Sequence, residues 1–312
     1  MLSIQGHLIR FMLQNRHLFQ FRLKKEIVDW STYESILRFR SECEAGARRM
    51  GKLPADITVK PVDIGGARAR IYGEWILPSQ DSPDRVIFYC HGGGYVTGSS
   101  AAHRAVVAKF VRGSQVGALV FDYRLAPEHP FPAALDDTVA AYRWLLTQGV
   151  APARIVIAGE SAGGGLVLAT LLALRDQGIP LPAAAVAISP WTDLKCSGDS
   201  FRTKAKVCLS PAGCWTAFSK YYTGDNDPGE PLISPLYGEL RGLPPLYISV
   251  GGDEVHHDGA VDFTRKAEAA GVNVTLRVGE GLFHCYPACA GMFPEATRAL
   301  AEICEFIKKH IH

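Results

Sequence analysis

The chain has 312 residues, of which 47% are hydrophobic and 21% charged, a composition that can bury one large core or two modest ones. Its 33 basic and 31 acidic residues are spread along the sequence and give a formal net charge of +2. No basic field therefore indicates a nucleic acid or a membrane surface as a partner, and a small uncharged or mixed ligand fits better.

The first 50 residues predict helical structure rather than a targeting segment. Polar residues between His7 and His17 interrupt every apolar run, so neither a signal-peptide core nor a membrane span is predicted. An amphipathic helix that needs a partner surface is predicted instead. Its apolar positions are Leu8, Phe11, Met12, Leu18 and Phe19.

From about residue 58, short apolar runs alternate with helical patterns. Strands are predicted at 58–63, 69–75, 85–90, 116–121, 154–158, 184–188, 245–250 and 273–278. Helices are predicted at 101–113, 133–148, 162–177, 258–270 and 293–310. The alternation predicts an α/β fold with a mostly parallel eight-stranded sheet flanked by helices, in which the first two strands form an antiparallel hairpin.

Two segments do not follow the alternation. Residues 1–50 are helical in pattern, and residues 190–235 are rich in aromatic residues, Ser, Gly and Pro. Long insertions beside a sheet are often functional. Both segments are therefore predicted to form a lid over a site built on a core of residues 51–189 and 236–312.

The apolar run at 155–158 is followed by Gly159-Glu160-Ser161-Ala162-Gly163. One interpretation is a tight strand-to-helix turn with serine as the helix cap. The other is a nucleophile elbow, G-x-S-x-G, in which small residues let a strained turn raise the serine oxygen above the sheet. The predicted strand before it and helix after it favour the elbow, with Ser161 as nucleophile and Glu160 pointing away from the site.

A serine nucleophile needs a base, and histidine suits this role because its pKa lies near neutral pH. His284 follows the last predicted strand on a Gly-flanked loop, at the sheet edge where α/β proteins build their sites. In contrast, His7 and His17 belong to the predicted lid, and His310 and His312 to the charged C-terminal tail.

The loop after the strand at 245–250 offers a carboxylate that could orient the histidine. Asp253, Glu254 and Asp258 all compete for this role. Each gives the chain order serine, acid, histidine that is typical of α/β-hydrolases. The neighbouring His256 and His257 are interpreted as polar residues at the start of the next helix.

Residues 91–94 read His-Gly-Gly-Gly and follow the predicted strand at 85–90. A plain glycine turn is one interpretation, but successive glycines also let backbone N–H groups approach a substrate closely. The position matches the HGGG loop that lipases and esterases combine with the residue after the serine. The predicted oxyanion hole comprises Gly92, Gly93, Gly94 and Ala162.

Metal and organic cofactors are not predicted. His91 and His103 are interpreted as hydrogen-bonded structural residues rather than metal ligands, and the eight cysteines contain no C-x-x-C pair. The cysteines predict reduced thiols in a cytoplasmic protein. Arg124 and Glu128 are predicted to form a buried ion pair that fixes a Pro-rich loop.

Taken together, the motifs resemble the hormone-sensitive-lipase-like family of α/β-hydrolase esterases. They are HGGG at 91–94, YRLAPEHPFPAALDD at 123–137, GESAGG at 159–164, GDEVHHD at 252–258 and His284, and they span most of residues 85–290. The resemblance implies Ser161 as nucleophile, His284 as base, and N–H groups of Gly93, Gly94 and Ala162 as oxyanion donors.

The resemblance also chooses among the carboxylates. The family pattern G-x-D-P-L-x-D, with its last Asp set on Asp258, puts its first Asp on Glu254 and thus implies Glu254 as the acid. Asp253 remains the rival, because such an alignment can slip by one residue. The sequence departs from the family at Cys285, where glycine is more usual.

The function implied by the resemblance is hydrolysis of short- to medium-chain acyl esters through an acyl-enzyme, without a cofactor. A non-catalytic small-molecule receptor and an amidase or peptidase are the alternatives on the same scaffold. Receptors of this type lose the base, whereas His284 is present here. A homodimer paired through the last strand at 273–278 is possible, and a nucleic-acid partner or membrane span is not expected.

Overall fold

The computed structural model of the protein describes residues 2–15, 28–49, 53–66, 70–78, 84–210 and 213–311. Its strands are β1 Thr58–Gly65, β2 Ile71–Leu77, β3 Val86–Cys90, β4 Gly117–Phe121, β5 Ile155–Glu160, β6 Ala184–Ile188, β7 Leu246–Gly251 and β8 Val274–Gly279. Its α-helices are α1 Ile4–Gln14, α2 Tyr33–Arg49, α3 Ser100–Ser114, α4 Ala133–Thr147, α5 Ala162–Asp176, α6 Ser200–Thr203, α7 Cys214–Thr223, α8 His257–Ala269 and α9 Pro294–His310. The predicted positions His17, Leu18, Phe19, residue 69 and His312 lie outside the described residues.

All eight strands form one sheet in the order β1-β2-β4-β3-β5-β6-β7-β8. Strands β3 to β8 run parallel, whereas β1 pairs antiparallel with β2, and β2 with β4. The predicted α/β fold, with its mostly parallel sheet and initial hairpin, is confirmed. Each predicted strand matches an observed one to within two residues at either end.

The central strands are apolar on both faces because helices cover both sides of the sheet. Along β3, Phe88 faces a core shared with α4 and α5, whereas Ile87 and Tyr89 face a second core shared with α3 and α9. This alternation follows from the two-residue period of a strand. It explains why these strands read as continuous apolar runs rather than as alternating ones.

The strand order places a crevice at the centre of the sheet. The chain continues from β3 to β4 on one side and later to β5 on the other side of β3. In such sheets, ligands bind beyond the carboxyl ends of the strands at the point where the order reverses. The loops after β3, β5, β7 and β8, which carry the predicted site residues, meet at this edge.

Both N-terminal helices contact loops at this edge of the sheet. In α1, Arg10 forms a salt bridge of 2.9 Å with Asp253 in the loop after β7. In α2, Arg40 donates to the Val96 carbonyl at 2.6 Å and pairs with Glu128 at 2.6 Å.

Among the described residues, no helix is both long and apolar enough to cross a membrane.

The predicted ion pair between Arg124 and Glu128 is wrong. Arg124 pairs with Asp137 in α4 at 2.7 Å, and Glu128 pairs with Arg40. Both partners come from helices that lie some distance away in sequence, so local spacing did not reveal them. The segment between Arg124 and Glu128 is therefore fixed by contacts to α2 and α4.

Candidate active site

Ser161 occupies a strained turn between β5 and α5. Its backbone has φ 58° and ψ −124°, a region that residues other than glycine rarely adopt. The hydroxyl makes no capping hydrogen bond to the helix that follows. The interpretation of this serine as a helix cap is therefore not supported, and the turn has the shape expected of a nucleophile elbow.

Small residues beside Ser161 allow the elbow to approach β3. A Cβ atom on Gly159 would lie 2.6 Å from the carbonyl oxygen of Cys90. A Cβ atom on Gly163 would clash even more closely with the carbonyl oxygens of Cys90 and His91. The glycines of the G-x-S-x-G motif are thus required by the close approach of two backbone segments.

His284 lies directly beside the serine. Its Nε2 atom is 2.9 Å from Ser161 Oγ, and 14% of its side chain is exposed. This distance is within the range needed for proton transfer from a hydroxyl to an imidazole. The loop after β8 thus brings the predicted base to the predicted nucleophile from 123 positions away in sequence.

Glu254 lies on the other side of the imidazole. Its Oε2 atom is 3.4 Å from His284 Nδ1, and the glutamate is completely buried. This is the separation of an ion pair rather than of a well-formed hydrogen bond. Within the described part of the chain, neither His284 Nδ1 nor Glu254 Oε1 has a hydrogen-bond partner.

The other two candidate carboxylates face elsewhere. Asp253 contacts Arg10 at 2.9 Å and Lys204 at 3.5 Å. Asp258 accepts a hydrogen bond from the Ser200 N–H at 2.7 Å and contacts His257. Of the three candidates, Glu254 is the one whose carboxylate faces His284.

The glycine loop after β3 lies beside Ser161 and lines the same cavity. Gly93 and Gly94 have φ values of 124° and 64°, so glycine is needed at both positions. In the described residues, no protein acceptor takes the N–H groups of Gly93, Gly94 or Ala162. The Gly92 N–H instead donates to Glu160 at 2.6 Å, which removes Gly92 from the predicted set of oxyanion donors.

Comparisons with known proteins show the family of the chain. A family model described as the alpha/beta hydrolase fold matches residues 87–288. The chain belongs to the α/β-hydrolase fold family. An acetyl-hydrolase from Streptomyces hygroscopicus is 42% identical over 260 residues, which is 83% of this chain and 84% of that protein. An esterase from Acinetobacter venetianus is 37% identical, covering 80% of this chain and 82% of its own.

Solved structures extend the likeness to nearly the whole α/β-hydrolase chain. The crystal structure of an esterase from the bacterial hormone-sensitive lipase family superposes with a TM-score of 0.88 at 40% identity, covering 99% of both chains. The predicted resemblance to hormone-sensitive-lipase-like esterases is therefore confirmed.

A buried polar network supports the glycine loop that is predicted to form the oxyanion hole of this α/β-hydrolase. Glu160, predicted to point away from the site, also lines the cavity beside Ser161, and its carboxylate accepts hydrogen bonds from the Gly92 N–H and the Tyr89 hydroxyl. His103 approaches the same carboxylate at 3.0 Å, and its other ring nitrogen lies 2.9 Å from the Ser99 carbonyl oxygen. Both ring nitrogens of His103 therefore face acceptors, an arrangement that suits the doubly protonated ring.

The protonation states in this network follow from the same contacts. Burial alone would lower the pKa of His103, but the Glu160 carboxylate outweighs burial and raises it. Burial alone would raise the pKa of Glu160, but His103 and the other donors lower it.

No group of three or more metal-ligating side chains occurs in the parts of the chain that the structure describes.

A cavity of about 340 Å³ opens over Ser161. Aromatic and aliphatic side chains supply much of its wall, and several come from the segments predicted as a lid. The lining residues are Phe39, Gly92, Gly93, Gly94, His103, Glu160, Ser161, Leu209, Ser210, Cys214, Trp215, Phe218, His284 and Cys285. The volume is at the small end of the range for ligand sites.

Aromatic contacts join the two predicted lid segments above the cavity. The Phe218 ring in α7 lies 5.2 Å from Trp30 and 5.6 Å from Phe39, measured between ring centroids. The Tyr221 hydroxyl donates to the Trp30 carbonyl at 3.0 Å. The N-terminal segment and residues 214–223 thus pack as one surface.

Sequence reasoning missed Ser189, whose hydroxyl donates to Glu254 Oε2 at 2.8 Å. The available signal was its position directly after the predicted strand at 184–188, at the same edge as the other site residues. A serine after a strand is too common to single out without its partners.

His256 stands at the start of α8, as predicted, but it is not an ordinary exposed polar residue. This residue makes no capping bond and is 2% exposed. Its ring lies 4.2 Å from Trp215 and 5.2 Å from His284, between centroids. Neither ring nitrogen has a hydrogen-bond partner among the described residues.

Proposed function

We propose that the protein is a serine carboxylesterase that hydrolyses short- to medium-chain acyl esters through an acyl-enzyme. The observation that carries the proposal is the distance of 2.9 Å between Ser161 Oγ and His284 Nε2 in a strained elbow. A hydroxyl is a weak nucleophile unless an adjacent base takes its proton. This contact provides such a base.

In the proposed reaction, Ser161 Oγ attacks the ester carbonyl while His284 Nε2 takes the hydroxyl proton. The buried Glu254 carboxylate, 3.4 Å from Nδ1, favours the neutral tautomer that carries its proton on Nδ1, and it stabilises the imidazolium that forms when Nε2 takes the second proton. The oxygen of the tetrahedral intermediate accepts hydrogen bonds from the N–H groups of Gly93, Gly94 and Ala162.

The intermediate then collapses. His284 returns its proton to the oxygen of the leaving alcohol, the carbon–oxygen ester bond breaks, and the acyl group remains on Ser161. Water then attacks the acyl-enzyme, His284 takes a proton from it, and the carboxylic acid leaves as the serine hydroxyl is restored. Apart from the ester and the attacking water, every step uses groups of the chain itself.

We further propose that residues 1–50 and 190–235 form a lid that limits the length of the acyl group. Phe39 comes from the first segment, and Trp215 and Phe218 from the second, and all three line the cavity of about 340 Å³. A volume of this size favours short acyl groups over the long chains of triglycerides. The name of the Streptomyces relative, an acetyl-hydrolase, is consistent with this preference.

Strand β8 lies at the edge of the sheet, so we propose that two copies can pair through it. Sedimentation of the wild type and of Val274→Pro tests the proposed dimer, because the Val274 N–H lies on the outer edge of β8, away from β7. The cytoplasmic location remains a prediction that cell fractionation would check.

The activity is tested with p-nitrophenyl acetate, butyrate, octanoate and palmitate, and with a matched anilide. We expect the rate to fall with acyl length beyond the medium range and the ester to exceed the anilide. Comparable anilide turnover would favour the amidase alternative. Binding of these esters without turnover would favour the receptor.

The nucleophile is tested by Ser161→Ala, which should lower kcat by about 10⁶-fold, as expected when a triad serine is removed. The thermal unfolding midpoint should stay close to that of the wild type. Ser114→Ala is the matched control, because Ser114 is a buried serine in α3 whose hydroxyl donates to the Phe110 carbonyl and does not line the cavity. Full turnover by Ser161→Ala would overturn the proposed mechanism.

A further inference from the structure

Ser189 is the first residue after β6, the strand that lies between β5 and β7. The loops that follow these two neighbouring strands carry the proposed nucleophile, Ser161, and the proposed acid, Glu254. Ser189 is completely buried, and its φ of 47° lies in the left-handed region that residues other than glycine seldom adopt. A strained, buried serine at this position calls for a physical reason.

The hydroxyl of Ser189 connects two loops of the site. Its Oγ atom accepts a hydrogen bond from the Cys285 N–H at 2.9 Å. It donates to Glu254 Oε2 at 2.8 Å. Because the backbone N–H can only donate, the hydroxyl accepts there and its single proton is directed to the carboxylate.

The third loop is joined through the backbone beside Ser189. The Ser161 N–H donates to the Ile188 carbonyl at 2.8 Å, and the Ser189 N–H donates to the Ser249 carbonyl in β7 at 2.6 Å. Residues 188 and 189 thus contact the nucleophile itself, the acid itself, and the residue that follows the base.

This connection matters because the acid has few other restraints. Within the described residues, the Ser189 hydroxyl is the one hydrogen-bond donor to the Glu254 carboxylate, and Oε1 has no partner. A buried carboxylate without a donor is costly and free to turn away from the imidazole. The hydroxyl holds Oε2 on the side that faces His284 Nδ1.

We propose that Ser189 is a positioning residue that keeps the acid and the base of the site in register. It does not touch the reacting carbonyl, and it acts through Glu254 and through the backbone of Cys285. The proposal rests on the proposed function, since the register of acid and base has a kinetic effect only in a working triad.

The test is Ser189→Ala, which removes the hydroxyl, measured with p-nitrophenyl acetate. We expect kcat to fall by about 10- to 100-fold, the size expected for loss of one hydrogen bond to a charged group, with KM changed less than about twofold. Ser249→Ala is the matched control. Ser249 is an equally buried serine on β7 whose hydroxyl donates to Tyr286 rather than to the acid, and this variant should keep kcat within about twofold.

A double-mutant cycle separates positioning from general packing. In a Glu254→Gln background, Ser189→Ala should cost little further activity, because the carboxylate that it positions is gone. Independent, multiplicative losses would overturn the proposal, as would a Ser189→Ala variant as active as Ser249→Ala. Ser189→Gly relieves the backbone strain and also lacks the hydroxyl, so it replaces the alanine variant if that one does not fold.

The outcomes distinguish this inference from the proposed function. If Ser161→Ala abolishes turnover but Ser189→Ala and Ser189→Gly are fully active, the esterase mechanism stands and the role of Ser189 is wrong. If Ser161→Ala is itself active, the mechanism fails. If neither variant at position 189 folds, the residue serves folding rather than positioning, which also contradicts the proposal.

Discussion

Arg10 in α1 lies 2.9 Å from Asp253 and also donates a hydrogen bond to the Gly281 carbonyl at 3.0 Å. One guanidinium from the N-terminal segment thus contacts the loop that carries the proposed acid and the loop that carries the proposed base. Lys204, from the second predicted lid segment, contacts the same aspartate at 3.5 Å. Asp253 is therefore part of the attachment of the predicted lid, which explains why its carboxylate does not reach the imidazole.

The two neighbouring acids should respond differently to neutralisation. Glu254→Gln removes the charge beside His284 Nδ1 and should lower kcat by about 10³- to 10⁴-fold, as expected for the loss of a triad acid. Asp253→Asn loosens contacts to α1 and should change kcat by less than about tenfold, with a loss of about 1 kcal/mol or less in the free energy of unfolding. Steady-state kinetics and urea unfolding check both variants, and the reverse order of effects would transfer the acid role to Asp253.

The steric role of the elbow glycines can be measured directly. Gly163→Ala would force a Cβ atom against the carbonyl oxygens of Cys90 and His91, so it should lower the free energy of unfolding by more than about 3 kcal/mol or prevent folding. Gly46→Ala is the control, because a Cβ atom in that exposed turn of α2 meets nothing within 4 Å. The control should raise stability by about 0.5 to 1 kcal/mol. Urea titrations of equal midpoint for Gly163→Ala and the wild type would contradict the steric argument.

The strands and the ends of the sheet were predictable because their signals are local. Runs such as 155–158 are apolar on both faces and end at glycine turns, so the sequence alone indicates where the site loops begin. The choice between Asp253 and Glu254 was not local. It depends on which carboxylate forms ion pairs with Arg10 and Lys204, and these two residues lie far from the acids in sequence.

The same limit explains the predictions that failed. Arg124 and Glu128 are close in sequence and of opposite charge, yet each pairs with a helix brought near by the fold. His256 follows two acidic residues in a loop, a context typical of solvent-exposed polar residues. Its burial depends on Trp191 and Trp215, which arrive from the insertion after β6.

The buried imidazole of His256 should lower the free energy of unfolding, and this destabilisation should increase as the pH falls below 6.5. Within the described parts of the chain its buried ring has no hydrogen-bond partner, so His256→Leu should raise the free energy of unfolding by about 1 to 3 kcal/mol at pH 8. Burial, together with the nearby His284, holds the pKa of His256 well below its ordinary 6.5. The unfolded chain therefore takes up a proton below pH 6.5 that the folded chain does not, and wild-type stability is lost as the pH falls.

Urea unfolding at pH 8 and pH 5.5 checks this expectation. The advantage of His256→Leu should grow by up to about 1.4 kcal/mol for each pH unit below 6.5. His7→Leu, at an exposed position of α1, is the control and should change stability by no more than about 0.5 kcal/mol at pH 8. A leucine variant that is less stable than the wild type at both pH values would show that the imidazole makes favourable contacts.

The stability that the His103–Glu160 pair contributes should fall at high pH. This dependence is opposite to that of His256, which lowers stability at low pH. The raised pKa of His103 means that its contribution to stability is complete below its ordinary value of 6.5 and is lost as the pH rises through the folded-state pKa. The lowered pKa of Glu160 means that its contribution is complete above 4.5 and is lost as the pH falls through the folded-state pKa. Both contributions are complete between about pH 4.5 and 6.5.

His103→Gln should therefore cost about 3 to 5 kcal/mol near pH 6, because it leaves the buried Glu160 carboxylate without its counter-charge. The double variant His103→Gln/Glu160→Gln should be more stable than this single variant, because no buried charge remains. Urea unfolding from pH 5 to pH 9 should show the wild-type advantage over the double variant shrinking as His103 loses its proton. The single variant should also lose kcat, since Glu160 holds the Gly92 N–H at the base of the oxyanion loop. Equal stability of the single and double variants would mean that Glu160 is not charged, and the proposed ion pair would be wrong.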